Sequence, residues 1–277
     1  MTSTRDPATE NPAIGKDVEA NGIRTNYLEA GSGDRHVVLV HGSGPGVTAY
    51  ANWRGVLPVL GEQFHVVAPD MVGFGYSERP KDVTYRLDTW ADQTVAVMDA
   101  LGIGKAHLVG NSFGGAIALR LTTRHPDRVD KLVLMGSVGV AFPITEGLDA
   151  VWGYDGTLEG MKKIMGYFAY DKSLTTGDLA QARFEGATQP GFQEAFSSMF
   201  PAPRQRWVDS MVAPEDDQPP DPRLLPRRVG PAPTCHAVPL EARARHPRSP
   251  NRRTACATSL VRLYAPASRA GTCCGRP

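Results

Sequence analysis

The chain has 277 residues, with 30 Lys and Arg against 29 Asp and Glu, a length that suits one large domain or one domain carrying an insertion. A net charge of +1 gives no field to draw a polyanion, so neither nucleic acid nor an anionic membrane is an expected partner. Residues 1–12 lack the apolar stretch of a signal peptide, and no apolar run approaches the roughly 20 residues that span a bilayer, so a cytoplasmic protein is expected.

In chain order, residues 24–30 and 36–41 are short strand-like runs on either side of a Gly31-Ser32-Gly33-Asp34 turn. A helical pattern over 53–60 precedes a third strand at 65–69. Residues 87–101 carry apolar side chains at Trp90, Val95, Val97, Met98 and Leu101, the spacing of a helix lying on a sheet. A strand at 106–110, a helix at 113–125 and a strand at 129–135 follow. The unbroken run Val37-Val38-Leu39-Val40 suggests strands buried on both faces, hence a mostly parallel sheet with helices on each side. After Gly139 the rhythm changes to helical patterns at 157–169, 177–187 and 192–199 with no strand between them. This predicts an all-helical insertion over the carboxyl ends of the strands, where open α/β sheets hold ligands. The expected division is therefore a core over 1–140, a helical cap over 141–212 and an aberrant segment over 213–277.

That last segment differs in composition. From Pro214 onward, 64 residues include 12 Pro and 11 Arg but no Lys, Ile, Phe, Met or Trp, so they cannot supply the apolar faces of a core. All four cysteines lie there, at Cys235, Cys256, Cys273 and Cys274, in a spacing that fits no zinc pattern.

The chemistry centres on Gly110-Asn111-Ser112-Phe113-Gly114, placed between a predicted strand and a predicted helix. In that setting a serine is held in a strained turn and presented as a nucleophile, and a Cβ at Gly110 or Gly114 would collide with neighbouring backbone. A serine hydroxyl needs a base to take its proton and donors to steady the oxyanion it creates. The loop His41-Gly42-Ser43-Gly44-Pro45-Gly46 follows a strand and lets backbone approach closely. The amide of Ser43 with that of Phe113 would form the oxyanion hole. His41 and Asp70 read as structural, Asp70 as a carboxylate capping the glycine-rich turn beside it.

These residues, with Asn52-Trp53-Arg54, Asp70-Met71-Val72-Gly73-Phe74-Gly75, Leu148-Asp149-Ala150-Val151-Trp152-Gly153-Tyr154 and Phe200-Pro201-Ala202-Pro203-Arg204-Gln205-Arg206-Trp207, resemble the meta-cleavage product hydrolases of the α/β-hydrolase superfamily. The resemblance runs from about residue 14 to about 215. It implies an α/β-hydrolase fold with a helical cap, no metal and no organic cofactor, association into homo-oligomers, and hydrolysis of a C–C bond in a small 2-hydroxy-6-oxo-2,4-dienoate from aromatic ring fission. Ser112 would be the catalytic residue. Arg183 aligns with the family's cap arginine and would bind the dienoate, unless it is a solvated helix residue. Asn52 and Asn111 would bind the dienol oxygens or orient the loops, and either would equally satisfy backbone groups. Trp152 and Phe184 would line the pocket, or simply pack.

The family places an Asp after a His-Gly-Arg strand end and a His-Trp pair near the C-terminus, and neither motif is present. Beyond the predicted cap only His236, His246 and Asp221 remain as candidates for the triad's base and its orienting acid. A reading frame displaced by one base from about residue 218 accounts for the missing motifs, the cysteines and the Pro/Arg bias together. The rival functions are a carboxylesterase on the same fold, or a binding protein with impaired catalysis.

Overall fold

A computed structural model describes residues 11–168, 171, 173 and 175–211. Strands β1 (Lys16–Ala20) and β2 (Ile23–Ala30) form a hairpin closed by Asn21 and Gly22, both at positive φ (53° and 72°). A two-residue Asn-Gly loop of this kind matches the twist of antiparallel strands. The sequence reading missed β1: its Lys16, Asp17 and Glu19 face solvent at the sheet edge, which hides the alternation.

Strands β3 (His36–Val40), β4 (His65–Pro69), β5 (Ala106–Asn111) and β6 (Val129–Met135) are parallel, and the sheet order is β1-β2-β4-β3-β5-β6. On one face Val38, Val40, Val67 and Leu108 pack against α3 (Leu87–Ala100) and α4 (Phe113–Arg124). On the other, Val37, Leu39, Val66 and Ala68 pack against Trp53 of α1 (Ala49–Trp53) and Leu57 and Leu60 of α2 (Leu57–Gly61). Successive side chains of β3 thus enter opposite cores. Each fully buried aliphatic side chain contributes about 1.5–3 kcal/mol relative to exposure, which is why the whole run is apolar.

The single helix expected at 53–60 is in fact two short ones. Thr48 caps α1 by accepting the Ala51 N–H at 3.0 Å, and Pro58, which has no N–H, occupies the first turn of α2, where none is needed.

After β6 the regular elements among the described residues are helices: α5 (Glu146–Trp152), α6 (Leu158–Phe168), α7 (Gly177–Ala187), α8 (Phe192–Met199) and α9 (Gln205–Ser210). Thr145 and Thr176 cap α5 and α7 through the Leu148 and Leu179 amides. The short α5 and α9 were not expected from the sequence.

The chain leaves β3 for α1 and α2 on one face and β4, then crosses back to β5 and α4 on the other. The connections leaving the carboxyl ends of β3 and β5 therefore part to opposite faces at the point where strand order reverses, the place where open α/β sheets hold ligands.

Candidate active site

Ser112 stands at the end of β5 with φ 53° and ψ −117°. Besides Asn21 it is the one non-glycine at positive φ among the described residues. Such a backbone costs about 1–3 kcal/mol and persists only when its surroundings fix it. Here the Ser112 N–H donates to Met135 O at 2.9 Å, and its carbonyl accepts from Gly115 N at 3.0 Å and Val138 N at 3.3 Å. The predicted role of the glycines is met. A Cβ on Gly110 would lie 2.6 Å from Gly114 O, and one on Gly114 would strike the Val40 and His41 carbonyls. Ser112 is half-buried and its side chain makes no cap bond to α4, so the hydroxyl has no partner among the described residues.

The loop after β3 runs beside it. A Cβ on Gly42 would come within 3.2 Å of the Ser112 Cβ. The Gly42 amide is occupied, donating to Asn52 Oδ1 at 3.0 Å, and that oxygen also accepts from Asn111 Nδ2 at 2.8 Å. These hydrogen bonds tie the loop, α1 and the end of β5 together. The Ser43 amide makes no hydrogen bond among the described residues, and Phe113, first residue of α4, has its N–H outside the helix ladder. Two such amides, with the positive end of the helix dipole, can hold negative charge developing beside Ser112.

His41 is 1% exposed, lies 2.7 Å from Gly42 O through Nδ1 and accepts the Met71 N–H at Nε2 over 2.9 Å. Nδ1 therefore carries the proton, and burial holds the ring neutral by pushing its pKa down. Both nitrogens are spent, so His41 is structural, as the sequence suggested. Asp70 is wholly buried and accepts from Ala49 N (2.6 Å), Asn26 Nδ2 (2.8 Å) and Tyr76 N (2.8 Å). Burial pushes its carboxyl up. It caps the turn through Gly75, as expected, and in addition the start of α1.

Arg183 lies on α7 in line with Ala180 and Ala187, three residues before it and four after. Ala187 seats against the loop: a Cβ on Gly46 would come 2.8 Å from its nitrogen. That face of α7 accordingly looks toward the loop beside Ser112. The Arg183 side chain is solvent-accessible, yet enough protein surrounds the guanidinium to lower its pKa, with repulsion from Arg54 adding to the effect. Among the described residues no carboxylate pairs with it.

Trp152 is 1% exposed, and its indole N–H donates to Ser43 Oγ at 2.8 Å. Its ring stacks on Phe200 at 4.8 Å and 4°. Phe113 meets Trp90, Phe200, Trp152 and Trp207 edge-on, so the side chain next to Ser112 is clamped by core and helical segment alike. Phe184 is partly buried against the same core. The Ser43–Trp152 bond and the Asn52–Asn111 pair carried no sequence signal, because both depend on where distant segments land. His236, His246 and Asp221 lie outside the described residues. Among those described, no cluster of three His, Cys, Asp or Glu side chains could hold a metal, and no helix is long and apolar enough to cross a membrane.

A strained serine between a buried parallel strand and a helix, opposite a glycine loop from the neighbouring strand, defines an α/β hydrolase. A family model of the alpha/beta hydrolase fold matches residues 35–212. The chain is 56% identical over 205 residues to 2-hydroxymuconate semialdehyde hydrolase of Pseudomonas sp. (strain CF600), covering 74% of this chain and 72% of that one. It is 55% identical over 207 residues to 2-hydroxy-6-oxo-2,4-heptadienoate hydrolase of Pseudomonas putida (strain F1), covering 75% of each. Among solved structures it is similar to a meta-cleavage product hydrolase from Pseudomonas fluorescens IP01, with 53% identity and a TM-score of 0.72 over 75% of this chain and 76% of that one. This chain belongs to the meta-cleavage product hydrolases, within the α/β-hydrolase family.

Proposed function

We propose that the protein hydrolyses a carbon–carbon bond in a small 2-hydroxy-6-oxo-2,4-dienoate, either 2-hydroxymuconic semialdehyde or 2-hydroxy-6-oxo-hepta-2,4-dienoate. The observation that carries this is the strained, half-buried Ser112 set between Gly42 and the first amide of α4, in a chain 56% and 55% identical, over 74% and 75% of its length, to hydrolases named for those two compounds.

The chemistry follows from the substrate's two ends. Ketonisation of the dienol puts an electron-withdrawing 2-oxo group in conjugation with C5. Ser112, or a water it positions, then adds to the C6 carbonyl, whose oxygen takes the negative charge between the Ser43 and Phe113 amides. Collapse breaks C5–C6, and C5 leaves with the electron pair delocalised onto the 2-oxo acid. The proton taken from the attacking hydroxyl passes to the departing dienolate to give 2-hydroxypenta-2,4-dienoate, and one water in all supplies the hydroxyl of the small acid, by hydrolysis of the acyl group if Ser112 attacked. Arg183, which has no carboxylate partner among the described residues, binds the C1 carboxylate. Asn52 and Asn111 hold the loops in register.

In this reading residues 141–212 form a cap over the crevice, and the triad's base and its acid are unassigned, with His236, His246 and Asp221, outside the described residues, only as weak candidates. The enzyme works without metal or organic cofactor, in the cytoplasm, as a homo-oligomer.

The test is to give the intact protein a coloured dienoate and a nitrophenyl ester. Bleaching of the dienoate far faster than ester cleavage is expected. The reverse preference would make the protein a carboxylesterase, and thermal stabilisation by the dienoate with no turnover would make it a binding protein. The mass of the natural protein, set beside a resequenced locus, decides the frame from residue 218 onward.

A further inference from the structure

The hydrogen bond between Trp152 and Ser43 spans 109 positions in sequence and joins α5 to the loop beside the nucleophile. Three features make it more than the relief of a buried donor. First, an indole N–H can only donate, so the 2.8 Å contact fixes the Ser43 hydroxyl as acceptor from Trp152 and leaves its own O–H to point elsewhere. Among the described residues that O–H has no protein acceptor. Second, the indole cannot swing: its ring is stacked flat on Phe200 at 4.8 Å and meets Phe113 edge-on at 6.3 Å and 85°. Third, Ser43 directly follows Gly42, whose Cα would carry a Cβ within 3.2 Å of the Ser112 Cβ. A hydroxyl that accepts one hydrogen bond also donates a second more strongly.

From these we infer that Trp152 is a positioning residue that acts through Ser43. Its N–H holds the Ser43 side chain in one rotamer and sends the hydroxyl proton toward ligand, adding a side-chain donor to the two amides and coupling the placement of α5 to the polarity of the site. This rests on the hydrolase reading above, and it assigns Trp152 a role that needs no contact with substrate.

The experiment is a double-mutant cycle on the full chain, following turnover of 2-hydroxymuconic semialdehyde. Trp152→Phe keeps an aromatic ring to stack on Phe200 and removes only the N–H and part of the ring area. The expected result is a kcat lower by about five- to tenfold, the worth of one neutral hydrogen bond, with KM changed less than twofold. Ser43→Ala should lower kcat at least as much, and adding Trp152→Phe to it should cost nothing further, because the indole then has no hydroxyl to orient. Equal losses in both backgrounds would make Trp152 a packing residue and overturn the inference, as would an unchanged kcat in Trp152→Phe.

Should Trp152→Phe not fold, Ser43→Cys carries the test. The thiol keeps the size but accepts weakly, so the same fall in kcat is expected, and unchanged turnover overturns the inference. No turnover by the unsubstituted chain overturns the hydrolase reading and this inference with it. Turnover that is indifferent to Trp152 overturns this inference alone.

Discussion

At their carboxyl ends β3 and β5 run into a glycine loop and a strained serine, where His41 is neutral and enclosed, Asp70 is buried among donors, and two amides near Ser112 are unspent. At the opposite end the neighbouring strands meet in ionisable side chains near water. His36 and His65, paired in register, face each other Nδ1 to Nδ1 at 2.9 Å, His65 reaches Glu29 at 2.5 Å, and Lys16 closes the row on Glu29 at 2.5 Å. His107 lies 3.1 Å from Asp130 on the other face of the sheet. The Glu29 carboxyl is held below its ordinary value, first by its bond to Lys16 and then by that to His65. One end thus spends backbone strain and desolvation to keep polar groups in one arrangement, and the other pairs charges that water could satisfy almost as well. Substitutions should be costly at the first end and mild at the second.

The largest contrast is in turnover. Ser112→Ala should lower kcat by a factor of about a thousand or more, measured on the dienoate, since only the oxyanion donors and binding remain. Ser112→Gly should be equally inactive yet melt at a higher temperature, because glycine adopts φ 53° without strain. An active alanine variant would remove the basis of the comparison.

Next in size, Gly114→Ala should cost about 3 kcal/mol or more in denaturant unfolding, its Cβ having no room against the Val40 and His41 carbonyls. Asp70→Ala strands the Ala49 and Tyr76 amides in the interior, and a loss of about 3 kcal/mol is expected by the same measurement. A loss under 1 kcal/mol in either would indicate that this end relaxes more freely than its packing implies.

Acidification gives a smaller effect. His36, His41 and His107 all have pKa values lowered from 6.5, with burial the first cause. Each binds a proton less readily folded than unfolded. Their contribution is therefore complete above pH 6.5 and is lost as pH falls toward the folded values. The melting temperature should fall between pH 7 and 5.5, and His41→Gln should flatten that fall. A slope unchanged by the substitution would shift the effect to the histidines at the amino ends.

Smallest of all, His65→Ala should cost about 1 kcal/mol, the pair with Glu29 being only partly buried at the sheet's ionisable end, and should leave turnover intact. A large loss of activity there would couple the two ends and break the contrast.

The sequence already contained the turn at Ser112, because its signature is local: glycines where a Cβ cannot fit, an apolar strand before and a helix after. It also marked the doubly buried β3, the structural nature of His41 and Asp70, and the family. The Asn21-Gly22 turn was a usable signal for β1 that charged edge residues obscured. The break between α1 and α2 was present at Gly55 and Pro58 and was overridden by the apolar spacing from Trp53 to Leu60.

What only the tertiary structure decided are pairings at long separation. Asn52 accepts from Asn111, Ala187 of α7 seats against Gly46 of the loop, and the Trp152 indole ends on Ser43. The reason is physical. Steric and propensity rules act over a few residues and leave their mark in composition and spacing. A hydrogen bond between segments 59 or 109 residues apart depends on how the sheet and helices pack, which no neighbouring residue encodes.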